Sequence, residues 1–220
     1  MDPNRISTRD IAEKHLAEGD PVGWFEEVYA TAKGDASTIP WADRGANPSM
    51  VEWLARESFQ GEDKTALVVG CGLGDDAEEL ARAGFQVTAF DVSSTAVAWC
   101  KQRFAESRVD YLTADLFQLP EAWQQRYHFI FEANTLQSLP LAIRSDAMRR
   151  IANCLAGNGT LLVVCRGRGA SDPDVGPPWP LLRPELDEFT KHGLCELSSE
   201  DYMDDEVPPI RRFRVAYTRK

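Results

Sequence analysis

The sequence predicts an α/β fold: a seven-stranded, mostly parallel sheet with helices on both faces, an antiparallel hairpin from the C-terminal residues and a helical cover from the N-terminal ones. Three observations predict it. Short apolar runs alternate with helix-period patterns from Thr65 onward, and helices between strands imply parallel neighbours. The first run, Leu67-Val68-Val69, enters the glycine turn Gly70-Cys71-Gly72-Leu73-Gly74, and helical spacing follows through Ala77, Leu80, Ala81 and Ala83. The last two strands have only the acidic, proline-containing segment Met203–Pro209 between them, so they pair as a hairpin.

The N-terminal cover is read over residues 1–60. Ile11, Ala12, His15 and Leu16 keep helical spacing, as do Trp24, Phe25, Val28 and Tyr29 after a break at Pro21. The loop Ile39-Pro40-Trp41-Ala42-Asp43-Arg44-Gly45 carries a bulky aromatic that plugs the end of the sheet or covers a bound ligand. Asn47-Pro48 opens a helix, with proline at a favoured first-turn position and Met50, Val51, Trp53 and Leu54 as its apolar face. Residues 64–220 form the sheet-bearing core of the same single domain, since no shift in composition marks a second. Its strands are expected at Thr65–Val69, Gln86–Phe90, Val109–Thr113, Tyr127–Glu132 and Thr160–Cys165, then near Leu194–Ser198 and Ile210–Thr218. Helices are expected at Asp76–Ala83, from Ser93 or Ser94 to Phe104, at Leu141–Leu155 and at about Arg183–His192. The apolar fourth strand suits a central position covered on both sides.

Composition sets limits. A formal charge of −11 argues against nucleic acid as a partner, because phosphate binding rests on clustered Lys and Arg. No stretch of about 20 apolar residues is present to span a bilayer. Met1–Arg5 lacks the charged-then-apolar pattern of a secretory leader, and the five cysteines never form a C-x-x-C pair. Reduced thiols and a cytoplasmic location are expected. His15, His128 and His192 are scattered, with no acids at metal-ligand spacing, so no metal site is expected.

The glycine turn carries the chemistry. Glycines let a backbone turn sharply and approach a ligand closely. Asp91 ends the second strand about 20 residues past the first glycine, where a nucleotide-binding α/β fold places the acid that grips ribose hydroxyls. A dinucleotide fingerprint requires G-x-G-x-x-G, whereas Gly70, Gly72 and Gly74 make G-x-G-x-G with Asp75 and Asp76 directly after. Two carboxylates there would repel a pyrophosphate and suit a ligand with positive charge, such as the amino group of S-adenosylmethionine. An NAD-dependent oxidoreductase is correspondingly disfavoured.

With Gly70–Gly74, Asp91, Ala114-Asp115-Leu116, Glu132 and the terminal hairpin in order, the chain resembles the Rossmann-like class I S-adenosylmethionine-dependent methyltransferases. Val68 stands where many members have an acid. The thiopurine, thiol and halide methyltransferase branch often lacks that acid and has an Asp soon after the glycines, as here. Ile39–Gly45 is similar to that branch's Pro-Trp loop, and Gly176-Pro177-Pro178-Trp179 to its Gly-Pro-Pro segment. The resemblance implies S-adenosylmethionine as cofactor and S-adenosylhomocysteine as product. It places Gly70, Cys71, Gly72, Gly74 and Asp75 around the cofactor's methionine and ribose portion, Asp91 on both ribose hydroxyls, and Val92 and Ser93 beside adenine. Asp115, flanked by Ala114 and Leu116, would accept from the adenine amino group; Glu132 and Ala133 would meet the methionine tail; Trp41 would cover the sulfonium by a cation–π contact. Each also has a structural reading: Asp91 and Asp115 as helix caps, Trp41 as packing, Glu132 as an arginine's partner.

The partner implied is a small-molecule methyl acceptor. A thiol needs little help because its thiolate is accessible near neutral pH, whereas an alcohol or phenol requires a placed base. No histidine stands near the end of the fourth strand, which favours a soft acceptor such as a thiol, selenol or halide and leaves the catalytic residue unassigned. The acceptor-pocket candidates are Trp24, Asn134, Gln137, Arg166 and Trp179. Arg211, Arg212 and Arg214 read as solvent-facing positions or partners of Asp204-Asp205-Glu206. O- or N-methylation of a metabolite, and cofactor binding without catalysis, remain as alternatives.

Overall fold

The computed structural model describes residues 8–42, 45–173 and 175–220. Asp43 and Arg44 of the Pro-Trp loop, and the Met1–Arg5 stretch, lie outside the described residues. Eight strands form: β1 (Thr65–Val69), β2 (Gln86–Asp91), β3 (Asp110–Thr113), β4 (Tyr127–Ala133), β5 (Leu155–Arg168), β6 (Leu181–Leu182), β7 (Leu194–Met203) and β8 (Arg211–Arg219). Seven of them make one sheet in the order β3-β2-β1-β4-β5-β8-β7. β1 to β5 pair in parallel, and β8 inserts antiparallel between β5 and β7. This is the mostly parallel sheet with a terminal hairpin that the sequence predicts. β6 is an addition, a two-residue parallel partner of β5 too short to show a period. β5 also starts earlier than expected, directly after the helix before it, and passes through Asn158 in the left-handed region at φ 58°.

Alternation along the strands divides the core. Leu67 and Val69 of β1 join Ile130 and the β5 residues Leu161 and Val163 on one face, beneath α6 (Leu141–Cys154) and α7 (Glu188–Lys191). Ala66 and Val68 join Phe129, Phe131 and Leu162 on the other, beneath α3 (Pro48–Arg56), α4 (Asp75–Arg82) and α5 (Ser94–Arg103). α3 starts as its sequence dictates: the Asn47 side chain accepts from the N–H groups of Ser49 and Met50, with Pro48 just inside. It packs on the sheet rather than over its end, with Trp53 stacked on Phe129 at 5.9 Å.

The end of the sheet is covered by α1 (Thr8–Ala17) and α2 (Gly23–Ala32). Trp24, Val28, Tyr29 and Ile39 are buried there against Leu73 and Ala96. Full burial of aliphatic side chains such as Val28 and Ile39 contributes about 1.5–3 kcal/mol each. A polar clamp adds to this: Glu26 of α2 accepts from the Ser93 hydroxyl at 2.7 Å, the Thr95 hydroxyl at 2.5 Å and the Thr95 N–H at 3.1 Å, at the first turn of α5.

Of the β8 arginines, Arg212 pairs with Asp204 and Glu206 of the acidic segment as expected but is largely buried, while Arg211 pairs with Asp201 of β7 instead. Arg214 does not face solvent. It is 3% exposed and binds Glu200, Glu52 and the Ser49 carbonyl, because its strand position points beneath α3. No helix among the described residues is long and apolar enough to cross a membrane.

Candidate functional site

The carboxyl ends of the parallel strands open into a cavity of about 910 Å³ beneath α2 and the Pro-Trp loop. It lies where chain direction across the sheet reverses, between β1 and β4, the position at which open α/β sheets take ligands. The cavity therefore has two halves. One lies over β3, β2 and β1 and is walled by Gly70, Gly72, Asp91, Val92, Ala114, Asp115 and Leu116. The other lies over β4, β5, β8 and β7 and is walled by Ala133, Asn134, Gln137, Arg166, Pro177, Pro178, Tyr202 and Arg212. Trp24, Phe25, Tyr29 and Trp41 line it from the cover side.

On the glycine side the backbone is set by steric need. Gly70 sits at φ 61°, and a Cβ there would lie 2.4 Å from the Thr135 hydroxyl oxygen. The Gly72 N–H donates to one Asp91 oxygen and the Ser93 N–H to the other, each at 2.9 Å. Asp91 is 6% exposed, and burial pushes its pKa up to about 6 against the lowering effect of those two N–H groups. A carboxylate offers about four lone-pair sites, more than these N–H groups take up, and Asp91 lines the cavity. Asp115 combines two duties: it lines the cavity and also caps the following turn, accepting from the Phe117 N–H at 2.8 Å and the Gln118 amide at 2.9 Å. Trp41 likewise packs and lines, donating from Nε1 to the Tyr29 hydroxyl at 2.7 Å and meeting Trp24 edge-on.

Six expected residues stand outside the cavity wall. Cys71 is buried in the core, and Gly74, at φ 90°, is pressed beneath the Tyr111 hydroxyl as the N-cap of α4. Asp75 turns aside to Arg103 at 2.9 and 3.0 Å, and Asp76 accepts from the Asn47 N–H at 2.6 Å. The charge expected at the loop's mouth is thus spent on a guanidinium and the first turn of α4, where carboxylates also complement the helix dipole. Ser93 is fully buried, its hydroxyl capping α5 at the Ala96 N–H. Glu132 is fully buried too, with Oε1 accepting from the Thr135 and Leu136 N–H groups at 2.8 and 2.9 Å. Its Oε2 has no partner among the described residues, and burial raises its pKa to about 7. It does not form the direct arginine pair considered from sequence. Trp179 acts through its backbone, donating to the Gln137 carbonyl at 2.6 Å and accepting from Arg144 at 2.9 Å, while Pro177 and Pro178 reach the wall.

Sequence reasoning missed Tyr29, Glu52, Tyr202 and Arg212 as wall residues. Tyr29 had a signal in its i, i+4 relation to Phe25 on a helix already read as a cover. Arg212 had one in the run of arginines beside an otherwise apolar strand.

Comparison with known proteins places this geometry. A family model described as a methyltransferase domain matches residues 66–159, which span β1 to the start of β5. The 2-heptyl-1-hydroxyquinolin-4(1H)-one methyltransferase of Mycobacteroides abscessus is 23% identical over 193 residues, covering 86% of this chain and 80% of that protein. The thiopurine S-methyltransferase of Vibrio atlanticus is 25% identical over 199 residues, covering 82% of this chain and 88% of the relative. Among solved structures, the 1,6-didemethyltoxoflavin-N1-methyltransferase of Burkholderia thailandensis shares the fold, with a TM-score of 0.69 at 17% identity, over 89% of this chain and 87% of that one. With this strand order and glycine turn, the chain has the fold of the class I S-adenosylmethionine-dependent methyltransferases, and the matched domain and the relatives support S-adenosylmethionine-dependent methyl transfer to a small molecule.

Proposed function

We propose that this methyltransferase acts on a small thiol presented as its thiolate. The observation that supports this is the lining of the cavity half over β4, β5, β8 and β7. Among the described residues no histidine, lysine or cysteine lines the cavity. The carboxylates on this side are committed elsewhere: Asp204 and Glu206 bind Arg212, and Glu52 binds Arg214, while Asp205 is exposed on the hairpin. Among the described residues the unpaired carboxylate of this lining, Asp205, is exposed on the hairpin, and an acceptor that ionises by itself, as a thiol does near neutral pH, fits such a wall.

The other half fits the cofactor. Asp91, through the acceptor capacity its N–H partners leave, would hold the ribose diol, and Gly70 and Gly72 would let the backbone pass close by. Val92, Ala114, Asp115 and Leu116 would flank the adenine, and Trp41 the sulfonium. S-adenosylmethionine supplies a methyl group on an excellent leaving group. The chain's own work is to align the acceptor with it and to exclude water, for which the aromatic cover of Trp24, Phe25 and Tyr29 is suited.

The test is methyl transfer to a panel of thiols, phenols, amines and halide ions, read by mass spectrometry. Thiol products above all others are expected; preferential methylation of phenols or amines would refute the soft-acceptor reading. A second reading is methylation of an acidic N-hydroxy heteroaromatic at its oxygen, in line with the hydroxyquinolinone named for the M. abscessus relative and with the aromatic residues of the lining. An N–OH of this kind also ionises without a base.

A further inference from the structure

We propose that Gln137 is a specificity-determining residue: its side-chain NH2 donates a hydrogen bond to a nitrogen or oxygen of the acceptor molecule. The inference rests on the thiol reading above. Gln137 lines the cavity yet is only 4% exposed. Its Oε1 accepts from the Arg166 N–H at 2.5 Å. A backbone N–H can only donate, so the atom facing it must be the oxygen, which fixes the orientation of the amide. The side-chain hydrogen bond that Gln137 makes among the described residues is this one through Oε1, so Nε2 keeps its two N–H donors for a molecule in the cavity that the residue lines.

The residue is also held on both sides. Glu132 caps the turn that carries it through the N–H groups of Thr135 and Leu136, and the Gln137 carbonyl accepts from the Trp179 N–H. An amide so fixed cannot swing away to solvent. It lies in the short turn Leu136–Ser138 after β4 and is tied to Arg166 of β5, beyond the switch point, so with strands about 4.8 Å apart it stands roughly 10–14 Å from the Asp91 strand. That separation puts it on the acceptor side. When the bound acceptor displaces water, an unsatisfied NH2 costs about 1–3 kcal/mol, so molecules without a matching lone pair are rejected.

The experiment compares thiophenol, 2-mercaptopyridine and 4-mercaptopyridine, at a pH where all are thiolates, as relative kcat/KM. The three probes have nearly the same shape and differ in whether and where a ring nitrogen accepts. The wild type is expected to prefer one of the two pyridine isomers over thiophenol by about tenfold or more. Gln137→Glu, which keeps the shape and the bond to Arg166, and Gln137→Met, which carries no charge, should both collapse that ratio, chiefly through KM. Equal rates for the three thiols in the wild type would overturn the inference, as would a ratio kept in folded variants. Silence on all three thiols, with S-adenosylhomocysteine still bound, would instead overturn the thiol reading and this inference with it.

Discussion

Replacing Asp91 tests the proposed cofactor site most directly. Two of its lone-pair sites are occupied by the Gly72 and Ser93 N–H groups, and two are proposed for the ribose diol. A hydrogen bond to a charged acceptor contributes about 1.5–3 kcal/mol, so Asp91→Ala should weaken S-adenosylhomocysteine binding by roughly 3–6 kcal/mol, or about 10²–10⁴ in Kd. A pH signature accompanies this. Burial pushes the Asp91 pKa up from 3.8 to about 6, so between those values the folded, ligand-free protein holds a proton that the unfolded chain has lost. Stability contributed at this position therefore falls as pH rises through that window. Binding runs the other way: ribose hydroxyls donate, and so select the ionised carboxylate. Affinity should be flat above about pH 7 and weaken below about pH 6, approaching tenfold per pH unit. Isothermal titration of S-adenosylhomocysteine across about pH 5–8, with the wild type and Asp91→Asn, measures both effects; the slope should vanish in the variant. A wild-type Kd that is unchanged from pH 7.5 to pH 5, or an Asp91→Ala Kd within threefold of wild type, would refute the assignment.

Glu132→Gln should stabilise the fold at alkaline pH. Burial raises the Glu132 pKa from 4.5 to about 7, so its ionisation costs up to about 3 kcal/mol above that pH, while a glutamine Oε1 can still accept both N–H groups. Denaturant midpoints should show the gain at pH 8 and none at pH 4; an equal change at both would contradict the titration. Arg214→Met removes a buried guanidinium shared by Glu200, Glu52 and the Ser49 carbonyl, and breaking such a cluster costs roughly 3 kcal/mol, or about 6–12 °C in Tm for a chain of this size. Glu200, held near a pKa of about 2 by Arg56 and Arg214, keeps Arg56, which limits the loss. A drop below about 2 °C would show that the cluster is not a tie between α3 and the hairpin.

The sheet was legible because each strand carries its own signal. β1 ends where its apolar run meets a glycine that must adopt positive φ, and its observed limits, Thr65–Val69, match those expected. α3 shows what such patterns leave out. Its apolar stripe identifies Met50, Trp53 and Leu54 as a buried face but does not say against which surface, and the sheet won over the cover. Asp75 and Asp76 mark a second boundary. Their positions after the glycines invited a reading by proximity to the ligand, yet Arg103, 28 residues away in sequence, lies closer in space.

The same division runs through the candidate site. On the glycine side, the wall is set by spacing within one turn or one strand end: Gly70, Gly72 and Asp91 are fixed by local backbone geometry, and a sequence displays such geometry directly. Across the switch point, each wall residue depends on a distant one. Gln137 is oriented by Arg166, 29 residues on, and the Arg212 guanidinium lies 3.4 Å from the Asn134 side chain, 78 residues back. Asn134 itself occupies the left-handed region at φ 65°, a conformation held by its surroundings. The half proposed for the cofactor therefore yields to motif reading, whereas the half proposed for the acceptor requires the assembled fold. The two halves also differ in what a substitution can change. If Gly70 and Asp91 hold the methyl donor as proposed, a change at either would strike the element shared by every reaction the enzyme performs. On the proposed assignment, a change at Gln137 or Arg212 would alter which molecule is methylated while leaving the methyl donor in place, so specificity would be free to diverge where local sequence constrains it least.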